Sequence, residues 1–348
     1  MRILYGVVGE GMGHATRSRV VLEHVLGSGH TVSIVASGRA YGFLADRLRD
    51  RPRLTVHDIH GLHLKYADNA LGVGRSLLSN LGEAPAGIAQ NIAVYRDLHR
   101  GEPEPDVVIS DFESWAYVYG VNHYIPVISI DNMQIINRCV HPPEITRDAS
   151  FQLAKAAVKV KLPGCRHYLI TTFFYPPIRK ERTTLVGPIL RPEIRAACRE
   201  PGEHVLVYQT AFNADLLPFL RSLPGRFVVY GMNVEGSEGN CTLRKFSEAG
   251  FIEDLRTARA ALAGGGFSLM SECVHLGVPL YAVPIEGQYE QELNARYLAA
   301  LGYGAWSPRF DRERIASWLA GVAPETTYLP EPEAVLYERV DSLLRSIT

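Results

Sequence analysis

Two glycine-rich turns hold the residue types in this chain that are best suited to chemistry. The first, GEGMGHATR, closes the apolar run Ile3 to Val8 and opens a segment in which Val20, Val21, Val25 and Leu26 recur near a helical period. Gly9, Gly11 and Gly13 lack Cβ atoms where the chain turns, and the helix that follows offers unpaired N–H groups and the positive end of its dipole. Gly11 and Gly13 can therefore receive a phosphate or an acceptor group. Arg17, one turn beyond His14, either joins them or is solvated. His14 itself puts an imidazole where the first strand hands over to the first helix.

The second turn is Gly264, Gly265 and Gly266, between a short apolar strand at Ala260 to Ala263 and a helix predicted over Phe267 to Leu276. Phosphate oxygens fit there, but each charge-to-dipole contact is worth only ~0.3–1 kcal/mol, so several backbone amides plus Ser268 are needed to hold a pyrophosphate. Glu272 stands about one turn into that helix, placed to accept both hydroxyls of a ribose. The plainer reading of Glu272 is a capping interaction with Ser268 or a solvated face. A dinucleotide fingerprint needs G-x-G-x-x-G and an acidic residue on the next strand. The first turn reads G-x-G-x-G-His, and the second strand ends at Ala36, Ser37, Gly38 and Arg39, so a nicotinamide cofactor is not expected.

The elements that must position these turns alternate between strand and helix. Thr31 to Ala36, Val107 to Ser110 and Val127 to Ile130 read as strands, with a helix at Tyr41 to Arg49. This alternation predicts an α/β fold with a parallel sheet covered by helices, which binds ligands at the carboxyl ends of its strands. The segment TTLVGPILRPEIRAACREPGEH holds three prolines and two glycines and reads as an interdomain linker. The alternation then restarts with strands at His204 to Tyr208 and Phe227 to Tyr230, a helix at Leu216 to Arg221 and a short helix near Asp254. Two doubly wound domains are expected, over residues 1–188 and 189–348. The last helix, 331–346, is long enough to cross back to the first.

Composition narrows the function classes. The 348 residues include 36 Lys plus Arg against 37 Asp plus Glu, so no global field draws in nucleic acid. Five cysteines without CxxC spacing read as reduced thiols, and no apolar run approaches a membrane span or a signal-peptide core, so a cytoplasmic protein is expected. His57, His60 and His63 lack the usual ligand spacing and no D-x-D occurs, so no metal is expected.

At the second turn the residues resemble a known family. FIEDLRTARAALAGGGFSLMSE, GVPLYAVP and EQELNARYLAALGYG follow one another in the order and spacing of the GT-B glycosyltransferases, particularly the branch with the peptidoglycan N-acetylglucosaminyltransferase and the UDP-glucuronosyl and plant small-molecule glucosyltransferases. The resemblance covers nearly the whole chain. It implies two Rossmann-like domains facing a cleft, the first binding an acceptor and the second a nucleotide-sugar donor, with no cofactor and no metal. By position, Ile252 would face a uracil-like base, the glycines and Ser268 would hold the diphosphate, and Glu272 the ribose. Glu290 and Gln291 would hold the donor sugar, and Thr210 lies in the loop after the second domain's first strand. The plant members have His and Asn-Ser where this chain has Gly264 and Ser268-Leu269. That leaves fewer side chains for phosphate.

The same resemblance implies a role for His14 as general base. An acceptor hydroxyl is a poor nucleophile near neutrality, and imidazole, unperturbed pKa about 6.5, is poised to take its proton. Asp111, at the end of another strand, is the carboxylate expected to orient the ring, with Glu10, Glu113 and Asp131 as runners-up. The reading is an inverting glycosyltransferase that uses a nucleotide-diphosphate sugar, a UDP-sugar first among them. The alternative is a nucleotide-sugar hydrolase or epimerase, because hydrolases of this fold also carry G-x-G-H-x-x-R; a third reading is a binding subunit without chemistry. Residues 60–100, with a helix predicted over Ala86 to Leu98, fall where acceptor loops vary. Lys155, Lys159, Lys161 and Arg166 stand among apolar residues, either on a solvated helix face or on one that rests on an anionic membrane surface near a lipid-linked acceptor.

Overall fold

The computed structural model describes residues 1–9, 11–61, 66–67, 70–71, 73–101, 103–209, 215–323 and 333–347. The chain forms two units: one of Met1–Leu64, Val73–Ile189 and Glu331–Thr348, the other of Lys65–Gly72 and Leu190–Pro330. In chain order the first strands are β1 (Arg2–Val7), β2 (Thr31–Ala36), β3 (Leu54–Asp58), the two-residue β4 (Tyr66–Ala67) and β5 (Ala70–Leu71), β6 (Val107–Asp111), β7 (Val127–Asp131), β8 (His167–Thr171) and β9 (Thr183–Val186). The strands β4 and β5 pair only with each other. The remaining seven form a parallel sheet in the order β3-β2-β1-β6-β7-β8-β9.

β1 lies between β2 and β6, and its Ile3, Leu4, Tyr5 and Val7 are almost completely buried. Val7 is in register with Ala36 on one side and Asp111 on the other, so the three strands end level. That is the switch point at which a doubly wound sheet leaves a crevice. Two glycines are required by close approach. A Cβ on Gly6 would lie 2.5 Å from Ala116 Cβ in the helix Ser114–Asn122, and one on Gly9 would lie 2.3 Å from Ser37 Oγ at the end of β2. The C-terminal helix Glu333–Arg345 packs Leu336, Val340 and Leu344 into the core of this first unit. There Asp341 Oδ1 lies 2.8 Å from His24 Nε2, and the His24 ring stacks on Tyr337 at 4.2 Å.

Two local readings are revised. Thr183–Val186, placed in the linker by its proline- and glycine-rich surroundings, is β9, the edge strand paired with β8. Within that segment the change of unit falls after Ile189. The helix expected at Ala86 to Leu98 spans Val73–Gly101 with Pro85 inside it.

The seven-stranded sheet of the second unit is made of β10 (His204–Tyr208), β11 (Arg226–Tyr230), β12 (Gly236–Glu238), β13 (Cys241–Leu243), β14 (Ala260–Ala263), β15 (Leu280–Ala282) and β16 (Gly304–Trp306), ordered β12-β13-β11-β10-β14-β15-β16. Only β12 runs antiparallel to its neighbour. Val205, Val207, Val229, Leu262 and Ile315 centre its core. Each unit is therefore a parallel-dominated sheet with flanking helices, as the alternation predicted.

Candidate active site

In the first unit the end of β1, the turn after it and the end of β6 bring His14 and Asp111 together. Gly11, at φ 83°, is the N-cap of the helix Met12–Gly27, which has no side-chain cap, and Gly13 lies in its first turn. His14 Nδ1 is 2.9 Å from Asp111 Oδ1. The side chain of His14 keeps 19% of its surface, whereas that of Asp111 keeps 1%. A carboxylate beside Nδ1 favours the tautomer with the proton on Nδ1, which leaves the lone pair on Nε2. Burial and the charge of Arg17 hold the His14 pKa below its ordinary 6.5, against the pull of Asp111.

Asp111 is held from every side. Its Oδ2 accepts Arg17 Nε–H and the Ser18 hydroxyl, both at 2.9 Å, and its Oδ1 accepts from Arg17 Nη2. Burial alone would raise the Asp111 carboxyl, but the Arg17 guanidinium and His14 outweigh it and keep the group well below the usual carboxylate range. Arg17, for which the sequence left a solvated position open, is buried, and it donates to Asp111 along one edge and to Asn132 Oδ1 at 2.5 Å from Nη1. Arg17 Nη2 also lies 2.6 Å from His14 Nδ1. A guanidinium cannot donate to a protonated ring nitrogen, so the ring's hydrogen bond belongs to Asp111.

The other carboxylates have structural partners. Glu113 is the N-cap of the helix Ser114–Asn122, accepting from Trp115 N at 2.8 Å and Ala116 N at 2.6 Å. Asp131, at the end of β7, accepts Gln134 N–H at 2.8 Å and the Ser129 hydroxyl. Burial pushes Asp131 up to about 6. Glu10, His63 and Thr210 lie outside the described residues.

In the second unit β14 runs into Gly264–Gly266, and Gly266 is the uncapped N-cap of the helix Phe267–Leu276. The turn is clamped to the helix Tyr289–Ala300. Gly265 N–H donates to Gln291 Oε1 at 3.0 Å, and Gly265 C=O accepts Asn294 Nδ2–H at 3.1 Å. A Cβ on Gly265 would lie 2.2 Å from Gln291 O, so no other residue fits. Gln291, expected to hold sugar hydroxyls, is buried instead: Oε1 also accepts Ile285 N–H, and Nε2 donates to Gln288. Its oxygen is engaged by two backbone N–H groups in fixing the loop. Glu290 Oε1 accepts from Asn294 Nδ2 at 2.7 Å and remains half-buried, as does Ser268. Ile252 is buried in the helix Glu248–Thr257 beside Phe251, whose ring contacts Tyr208 and Tyr230.

Glu272 neither caps the helix nor faces solvent. Arg191 grips it with two bonds, Nε to Oε1 at 2.8 Å and Nη2 to Oε2 at 2.9 Å, while Arg191 Nη1 reaches Glu248 Oε1 at 3.0 Å. Burial raises the Glu272 pKa and Arg191 opposes it. Sequence reading passed over Arg191 because it sits in a segment taken as linker; its one signal is a lone arginine between Leu190 and Pro192. Gln209 was also missed. It follows β10, it is 4% exposed, and neither polar atom of its amide has a hydrogen-bond partner among the described residues.

The profile of glycosyl transferase family 1 matches residues 1–323 of the chain. An uncharacterized glycosyltransferase of Methanosarcina mazei is 24% identical over 335 residues, covering 87% of this chain and 85% of that protein. Among solved structures, Arabidopsis thaliana UGT89C1 complexed with UDP-L-rhamnose aligns with a TM-score of 0.64 at 16% identity over 100% of this chain and 94% of the other. The spinosyn rhamnosyltransferase SpnG complexed with thymidine diphosphate aligns at 0.59 and 19% identity over 92% and 91%. These two structures share the fold.

Proposed function

Because the chain belongs to glycosyl transferase family 1 and has the GT-B fold of that group, we propose that it is an inverting enzyme that moves a sugar from a nucleoside-diphosphate donor to an acceptor hydroxyl, with His14 as general base. The observation that carries this reading is the pairing of His14 Nδ1 with Asp111 Oδ1 at level strand ends. Nε2 takes the proton of the acceptor hydroxyl as its oxygen attacks the anomeric carbon. The bond from that carbon to the diphosphate oxygen breaks on the opposite face, which inverts the centre. Asp111, a firm anion, stabilises the imidazolium that forms.

The donor is assigned to the second unit. The uncapped N-terminus of the helix Phe267–Leu276, with Ser268, offers N–H groups and a positive dipole end to the diphosphate and to the charge it gains on leaving. Charge stabilisation of this kind asks for no divalent cation. Glu272, paired with Arg191, retains lone pairs for the ribose hydroxyls. A pyrimidine diphosphate, UDP first, is the donor class; the UDP-L-rhamnose and thymidine diphosphate bound by the two structural relatives support it.

The test is a melting-temperature screen against UDP, dTDP, GDP, ADP and CDP and their sugar conjugates, followed by product analysis with and without acceptors. A stabilising pyrimidine diphosphate and transfer with inverted configuration are expected. Release of free sugar at the same rate without any acceptor would make the protein a hydrolase, and no stabilisation by any nucleotide would overturn the donor assignment.

A further inference from the structure

The helix Ala149–Lys161 in the first unit has two apolar stripes, and the described residues cover only one of them. Phe151 and Val158, seven residues apart, are each 3% exposed and pack inward. On the opposite side Leu153, Ala156, Ala157 and Val160 fall at i, i+3, i+4 and i+7, the spacing of a single helical face. All four are exposed, Leu153 by 75% and Val160 by 72%. A surface helix of a soluble domain ordinarily turns polar residues outward, so this stripe calls for an apolar environment.

The surroundings say which one. The helix contains no acidic residue. Lys155 and Lys159, at i, i+4, lie between the two stripes, Lys155 half-buried with its Nζ 5.6 Å from the centre of the Phe151 ring. Next to them Arg179 and Lys180 are anchored on Asn137, Nη2 to its carbonyl at 2.8 Å and Nζ to its Oδ1 at 2.7 Å. Among the described residues none of these four cations is ion-paired with a carboxylate. Burial and then the charges of Arg138, Arg179, Lys159 and Lys155 push the Lys180 pKa down, a mark of cations crowded together without a counter-ion. An apolar stripe flanked by unneutralised lysines is the make-up of a helix that lies in the plane of an anionic lipid surface. No helix among the described residues is long and apolar enough to cross a membrane.

We propose that the face Leu153-Ala156-Ala157-Val160, with Lys155, Lys159, Arg179 and Lys180 beside it, docks the protein reversibly on anionic phospholipid. The same helix ends at Lys161, whose Nζ lies 4.0 Å from the centre of the Phe112 ring, the residue after Asp111. Docking there holds the His14 and Asp111 pair close to whatever the bilayer carries.

The experiment is flotation of the purified full-length protein with vesicles of phosphatidylcholine alone or mixed with phosphatidylglycerol. Binding to the mixed vesicles only, weakened by salt, is expected. Leu153→Asp with Val160→Asp, and separately Lys155→Glu with Lys159→Glu, should each weaken partitioning by about tenfold or more while leaving the melting temperature and the circular dichroism of the wild type. Should the aspartate pair disturb folding, Leu153→Ser with Val160→Ser replaces it. Failure of the wild type to float with anionic vesicles, or variants that float as well as it does, would overturn the proposal. So would a wild-type dimer that Leu153→Asp dissociates, since the stripe would then be an interface between copies of the chain.

Discussion

His14 Nδ1 lies 2.9 Å from Asp111 Oδ1 although 97 residues separate them, and a buried arginine, Arg17, donates to both oxygens of the same carboxylate. The pair is therefore pre-arranged, with one part of the ring open to solvent and the carboxylate sealed.

The first prediction concerns the base. General acid–base groups contribute about a hundred- to ten-thousand-fold in rate, so His14→Ala should lower kcat by that order. The nucleotide's effect on the melting temperature should be unchanged, because no donor contact is assigned to His14. Steady-state kinetics beside a thermal shift measurement check both halves; near-full activity would remove His14 from the mechanism.

A pH profile tests the environment of the same ring. The base is active when neutral, so kcat/KM should rise with pH through the His14 pKa, and that limb should lie below 6.5 because burial and Arg17 lower it. Asp111 opposes that lowering, so Asp111→Asn should move the limb to still lower pH. The variant should also lose stability, by about 3–5 kcal/mol, since removing one partner leaves the Arg17 charge buried without its counter-ion.

Asp131 gives a prediction of opposite sign. Its folded pKa is raised to about 6, above that of an unfolded chain, so the stability tied to its neutral form is complete below about 3.9 and is lost as pH rises through about 6. Asn stays neutral throughout. Asp131→Asn should therefore gain melting temperature relative to the wild type above pH 6 and gain none below pH 4, which parallel thermal scans at the two pH values would measure.

The glycine turn of the second unit should not tolerate a methyl group. In Gly265→Ala the new Cβ would meet Gln291 O at 2.2 Å, an overpacking against backbone that cannot swing away. A loss of about 1–3 kcal/mol or more is expected in denaturant unfolding. Gly266→Ala, with nothing within 4 Å, should leave stability within ~1 kcal/mol as a control for the lost glycine alone.

Gln209 separates stability from binding. A buried polar group without a partner costs about 1–3 kcal/mol, so Gln209→Leu should raise the melting temperature of the ligand-free protein. It lies at the carboxyl end of β10, the edge at which a parallel sheet binds ligands, in the unit to which the donor is assigned, so the same variant should bind nucleotide diphosphate more weakly in calorimetry. Unchanged affinity would leave the orphaned amide without a ligand.

Much of the fold was legible locally. The strands Thr31–Ala36, His204–Tyr208 and Ala260–Ala263 and the helices Leu216–Arg221 and Phe267–Leu276 lie where apolar runs, glycine turns and helical periods place them. These signals are carried by neighbours in sequence, and a parallel sheet needs buried strands that read as continuous apolar runs. β9 escaped because an edge strand is short and the prolines and glycines that follow it look like a linker.

The sequence by itself determined the doubly wound plan, the family, and the identities of His14, Asp111 and Glu272 as residues worth following, because strand-end residue types and motif spacing are properties of the chain. Only the tertiary structure decided what those side chains do with their charge. Arg17 turned inward to hold Asp111, Gln291 gave its amide to the Gly265 loop, and Arg191 came from 81 residues away to grip Glu272. A buried charge or amide must find its partner in three dimensions, and the partner that satisfies it is chosen by proximity after folding, which no spacing along the chain encodes.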